Sequence, residues 1–128
     1  MRHDRHYTLE EATSARGAVA RMLATMREAR DQLTDEEARE ALAEASPGNG
    51  GGRPGRQVGE AFVALRSAAA QLQAMEVVVR DLDRGLVDFP SFVEGHEAYL
   101  CWVEREEDGI GYWHELDAGY PGRRPLPG

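Results

Sequence analysis

Between residues 58 and 82 an apolar side chain returns every three or four positions: Val58, Phe62, Leu65, Ala69, Leu72, Met75, Val79, Leu82. A helix turns that spacing into one continuous stripe, because side chains three and four apart share a face. Ala61, Ala68, Ala70, Ala74 and Val78 widen it. The spacing predicts a helix from near Arg56 to Arg84, about 40 Å long at ~1.5 Å per residue. Gly85 then stands as its C′ stop.

The first half carries a narrower version. Thr8 and Glu11 form a capping box with Tyr7 as staple residue, so a helix begins at Leu9. Its seam is Val19, Met22, Met26, Ala29, Leu33, a coiled-coil-like stripe suited to one helical neighbour. After Leu33 the phase is lost. Thr34 and the acids behind it look like a second capping box, and Ala38, Ala41, Leu42 and Ala45 resume on a shifted face. A break at Thr34 is expected, with one bent helix as the alternative. Residues 46–55 (SPGNGGGRPG) have the composition of a flexible loop. Two long helices so joined make an antiparallel hairpin, whose leftover apolar face needs the C-terminal region or a second copy of the chain. Residues 1–6 are polar and are expected to fray.

Past Gly85 the sequence changes character. Both tryptophans, the single cysteine and three of the four tyrosines fall between Asp81 and Arg123. Leu86 to Phe89, Ala98 to Val103 and Ile110 to Glu115 are rich in branched and aromatic residues and predict strands. Asp108-Gly109 is a type I′ hairpin signal, which sets Val103 opposite His114 and Cys101 opposite Leu116. The period of two then places Tyr99, Cys101, Val103 and His114 on one face and Leu100, Trp102 and Trp113 on the other. A turn longer or shorter by two residues keeps that division; a bulge overturns it.

Charge narrows the partners. The net charge is −8, and the arginines are scattered among acids, which argues against nucleic acid. One cysteine forms no internal disulfide and fits a reducing compartment. The start MRHDRHYTLEEA lacks the apolar core of a signal peptide, and no run approaches the ~18 apolar residues of a membrane span. The expectation is a soluble cytoplasmic protein with no membrane partner.

Candidate chemistry gathers where helix and strands meet. Asp81 and Asp83 fall in the expected last helical turn, against the negative pole of the helix dipole, with Asp88 just beyond. Three such acids call for a cation, supplied either by Arg80 and Arg84 or by a metal ion or substrate ammonium. His114 shares a face with Cys101, so Asp83, Asp88, Cys101 and His114 form a candidate ligand set for a divalent transition metal, zinc or iron. The same pair also suits a thiolate activated by imidazole. Against both stands a core cysteine beside a histidine held by a backbone carbonyl, since no CxxC, HxxxH or HExxH spacing is present. His3 and His6 have a chelating spacing but lie in the loose end, and His96 suits an exposed turn. There is no nucleophile elbow, no GxGxxG after a strand and no P-loop.

Several of these motifs together resemble one family. Tyr7-Thr8-Leu9-Glu10-Glu11-Ala12, Gly85-Leu86-Val87-Asp88-Phe89-Pro90, Leu100-Cys101-Trp102, Trp113-His114-Glu115, Gly119 and Arg123 are similar to the DUF2203 proteins, a family of small bacterial proteins without an assigned activity. The resemblance covers nearly the whole chain and implies one domain with a helical hairpin and a motif-dense C-terminal half. Members commonly carry a lysine where this chain has Arg80. If that lysine only balances the nearby acids, Arg80 serves as well.

These readings combine into an α+β fold: a long antiparallel two-helix hairpin with a small antiparallel three-stranded sheet at one end. Residues 1–128 make a single domain, with 7–84 the hairpin and 85–128 the β region. The first functional reading is a module binding a metal or small ligand at the junction of helix end and sheet. The second is a structural or interaction protein, a homodimer built through the hairpin. The third is a small enzyme using Cys101 or a metal-bound water, with His114 as base and Asp88 orienting it.

Overall fold

A computed structural model describes residues 1–45 and 59–127. The chain is α+β and divides into two compact units, residues 19–74 and residues 1–18 with 75–128. Among the described residues it has three helices, α1 (Leu9–Asp31), α2 (Asp35–Glu44) and α3 (Gly59–Ala74), and five strands. The Gly-rich loop expected at 46–55 and the first residues of the second helix lie outside the described residues.

In the helical unit α3 packs against α1 and α2. Val19, Leu23, Met26 and Ala29 are buried along α1, with Leu23 in place of the expected Met22. Phe62, Leu65, Ala69 and Leu72 are buried along α3, as their spacing predicts. The break at Thr34 is present. Its hydroxyl accepts the Glu37 N–H and the Glu37 carboxylate accepts the Thr34 N–H, a complete capping box that starts α2. The matching box at Thr8 and Glu11 starts α1.

The expected helix to Arg84 does not exist: α3 stops at Ala74. Glu76 takes a left-handed backbone, φ 58°, which ends the helix. Val77, Val78 and Val79 follow, and three successive β-branched residues prefer the extended chain. Strand β1 (Val78–Asp81) replaces the last helical turns, so the heptad reading of Met75, Val79 and Leu82 is corrected. No helix dipole acts on Asp81 and Asp83. Gly85, at φ 66°, lies in the turn from β1 to β2 instead of closing a helix.

The sheet is an antiparallel meander of five strands in the order β1-β2-β3-β4-β5, not three. After β1 come β2 (Leu86–Val93), β3 (His96–Val103), β4 (Tyr112–Glu115) and β5 (Arg124–Pro125). The tight hairpin falls at Glu94-Gly95, whose φ values of 52° and 85° suit a type I′ turn. Asp108-Gly109 sits inside a longer connection, residues 104–111. Tyr99 therefore pairs with His114 and Cys101 with Tyr112. That is a shift by an even number of residues from the expected register. The division of faces survives it.

The N-terminal segment is pinned, contrary to the frayed end expected. The Arg2 and His3 amides donate to the Glu97 carboxylate, and the Asp4 and Arg5 amides donate to Glu76. Tyr7 N–H donates to the Pro90 carbonyl at 2.7 Å, and Ser91 Oγ donates to the Tyr7 carbonyl at 2.6 Å. Pro90 lies on β2 beyond the last residue paired with β1, so residue 7 covers an edge that β1 leaves open.

Candidate metal centre

Three neighbouring strands each contribute one residue. Asp88 on β2 stands directly opposite Cys101 on β3. His114 on β4 is opposite Tyr99, diagonal to Cys101 and on the same face. All three side chains are buried, and a ligand atom from each lies within 4.8 Å of the others. The period of two put Cys101 and His114 on one face in the sequence, while Asp88 was added as an acid near an expected helix end that does not exist. Asp83 is not part of the group. It lies exposed in the turn between β1 and β2, engaged elsewhere.

His114 is held at both ends. Nδ1 is 2.7 Å from the Glu115 carbonyl and Nε2 is 2.9 Å from Asp88 Oδ1. A carbonyl and a carboxylate only accept, so both ring nitrogens carry hydrogen and the ring is an imidazolium. Burial alone would depress its pKa. Hydrogen bonding to Asp88, helped by Cys101 and the Glu115 carbonyl, outweighs this and lifts it to about 10. In that state neither nitrogen has a lone pair with which to act as a base, so the enzyme reading needs this ion pair to open first.

Asp88 binds a second cation. Arg80 Nε donates to its Oδ2 at 2.8 Å. Arg80 is the extra residue where the β1–β2 register slips between Val79 and Asp81, and such a bulge re-aims a side chain. The cation expected near the acids is thus Arg80, acting on Asp88 through a strand and not through a helix end. Arg123 Nη1 lies 3.9 Å from Cys101 Sγ and also grips Glu106, with Nη2 to Oε2 at 2.6 Å. The Glu106 carboxylate also accepts the Val103 N–H, which ties down the start of the 104–111 connection. No buried side-chain nitrogen or oxygen among the described residues lacks a partner.

A family model for an uncharacterised conserved protein, DUF2203, matches residues 5–126. The chain belongs to the DUF2203 family. No curated protein and no solved structure matches it. The family description assigns no activity, so the chemistry of this DUF2203 protein has to be read from its residues. Among the described residues no helix is long and apolar enough to cross a membrane.

With bonds of about 2.0–2.3 Å and tetrahedral angles, the ligands of a zinc ion sit roughly 3.3–3.8 Å apart. The three atoms here lie within 4.8 Å of one another, so they can converge on one ion after a side-chain shift of about 1 Å. One oxygen, one nitrogen and one sulfur suit zinc or iron better than magnesium or calcium. The Glu115 carbonyl fixes the ring orientation through Nδ1 and leaves Nε2 toward the site, as histidine ligands usually require.

Sequence reasoning put Tyr99 on this face and Arg123 among the family residues but gave neither a part in the site, and it missed Tyr120. The Tyr99 ring lies 5.5 Å from that of His114 and its hydroxyl is 2.6 Å from His3 Nε2. Its alternation with Cys101 was a usable signal. Nothing local pointed to Arg123, which reaches the site from the tail.

Proposed function

We propose that this DUF2203 protein is a metal-binding module whose ion, zinc or iron, is held by Asp88 Oδ1, Cys101 Sγ and His114 Nε2. The observation that carries the reading is the convergence of three different donor types, fully buried, on one sheet face. The metal would take the place of the proton between His114 and Asp88. Arg80 would hold Oδ2 of the carboxylate and Glu115 the far nitrogen of the ring. Three protein ligands leave a fourth position open, the arrangement of sites that bind a further molecule.

The test is elemental analysis and zinc titration of protein purified without a histidine tag. One ion per chain is expected, lost in Cys101→Ala and His114→Ala with the circular dichroism spectrum retained. Absence of stoichiometric metal would favour a second reading, supported by the pairing of both Asp88 oxygens, one with Arg80 and one with His114. In that reading the cluster is a structural ion-pair network and Cys101 a core residue beside Leu86 and Val103. A homodimer through the helices belongs to the same reading, and its sign is a melting temperature that rises with protein concentration.

A further inference from the structure

A cleft of about 300 Å³ opens beside the three-residue cluster, lined by Arg80, Asp88, Asp117, Leu86, Leu116 and Tyr120 among others. Both Asp88 oxygens are engaged, Oδ1 with the His114 ring and Oδ2 with Arg80. Asp117 is paired with Arg2 at 2.9 Å. Asp88 and Asp117 are thus each engaged by a partner, and Arg80 is the cation of the lining.

Arg80 is built to offer that charge to a ligand. Only its Nε is used; Nη1 and Nη2 have no hydrogen-bond partner among the described residues. The side chain is 41% exposed, and its guanidinium lies over the Tyr99 ring, 5.2 Å from the centroid. Bond and ring together fix the plane of the fork, so little freedom is lost on binding. Two further arginines pack on Tyr120, which lines the cleft. Arg84 lies over the Tyr120 ring at 4.8 Å and Arg105 donates to the Tyr120 hydroxyl at 3.3 Å. Leu86, Leu116 and the Tyr120 ring supply apolar surface between these groups.

We infer that this cleft binds a small monocarboxylate with a short apolar body, its oxygens on the free end of the Arg80 guanidinium. The inference rests on the reading of Asp88, Cys101 and His114 as a metal site only for the ligand's second contact, at the open coordination position. A planar fork matches a carboxylate, and the leucines favour an alkyl group over a bare ion.

The experiment is an amide NMR titration of the full-length chain with sodium butanoate at constant ionic strength, metal-free and zinc-loaded. Butanamide is the neutral control. Saturable shifts at Leu86, Asp88, Leu116 and Tyr120 are expected with butanoate and none with butanamide, and affinity rises with zinc. Arg80→Met weakens binding at least about tenfold, the loss expected for a charge-assisted fork, and Arg80→Lys falls between. Equal response to the amide, shifts that do not saturate, or wild-type binding by Arg80→Met overturns the inference. Should Arg80→Met fail to fold, the butanoate and butanamide comparison on the wild type decides alone. Failure of the metal reading is separate: zinc then does not bind, while butanoate still shifts the metal-free protein.

Discussion

His114 and Asp88 lie 26 residues apart in the chain and 2.9 Å apart in the fold, both sealed from solvent. A buried ion pair contributes little net stability, but losing one member leaves a charge with nothing to balance it. Asp88→Ala leaves the His114 ring and the Arg80 guanidinium without their buried acceptor and should cost about 3–5 kcal/mol in urea unfolding of metal-free protein. Asp88→Asn keeps an acceptor for Nε2 and should cost less. An alanine variant as stable as wild type would contradict the ion pair.

The same pair sets a pH dependence. The folded pKa of His114 is about 10, above its ordinary 6.5. A raised pKa means that the folded state holds the proton more tightly than the unfolded state. The stabilisation is therefore complete below about pH 6.5 and declines as pH rises through about 10. Urea midpoints of metal-free protein between pH 6 and 10.5 should fall for the wild type. His114→Gln should lose most of that slope. A wild-type curve that rises or stays flat over this range removes the imidazolium.

The pairing of Cys101 with His114 was legible because strand alternation depends only on parity; Asp88 was not placed by it. The Asp108-Gly109 turn was misplaced, yet the true Cys101 to Tyr112 register differs by an even number of residues and leaves Cys101 and His114 on one face. The helix end was not legible from spacing. Met75, Val79 and Leu82 continue a heptad pattern, although all three are only half-buried and Val79 alone lies on a strand. Local preference decided against the helix: Val77 to Val79 favour a strand, and Glu76 breaks the helix. The pinned N-terminus rests on Glu76 and Glu97, far along the chain, and no local reading finds such partners.

Helix α2 should depend strongly on its cap. It spans only Asp35–Glu44, too short to persist on propensity alone. Thr34→Ala removes the acceptor for the Glu37 N–H and should cost about 0.5–2 kcal/mol. Amide exchange in residues 35–44 is the direct measure, since faster exchange confined there marks local opening. Protection unchanged from wild type would show that packing of Ala38 and Ala41, not the cap, holds the helix.

The N-terminal strap should release in acid, because its anchor is a carboxylate. Glu97 accepts the Arg2 N–H, the His6 ring and the His3 N–H, and these donors lower its pKa from 4.5 to about 2. A lowered pKa contributes stability above the ordinary value, and that stability is lost as pH falls toward about 2. Amide exchange at residues 2–6 should thus accelerate, beyond its intrinsic pH dependence, between pH 4.5 and 2. Glu97→Gln removes the charge at every pH, so residues 2 and 3 should already exchange faster at pH 6, while residues 4 and 5 keep their bonds to Glu76. Residues 2 and 3 equally protected in wild type and Glu97→Gln would mean that the Glu76, Pro90 and Ser91 bonds hold the segment without the Glu97 charge.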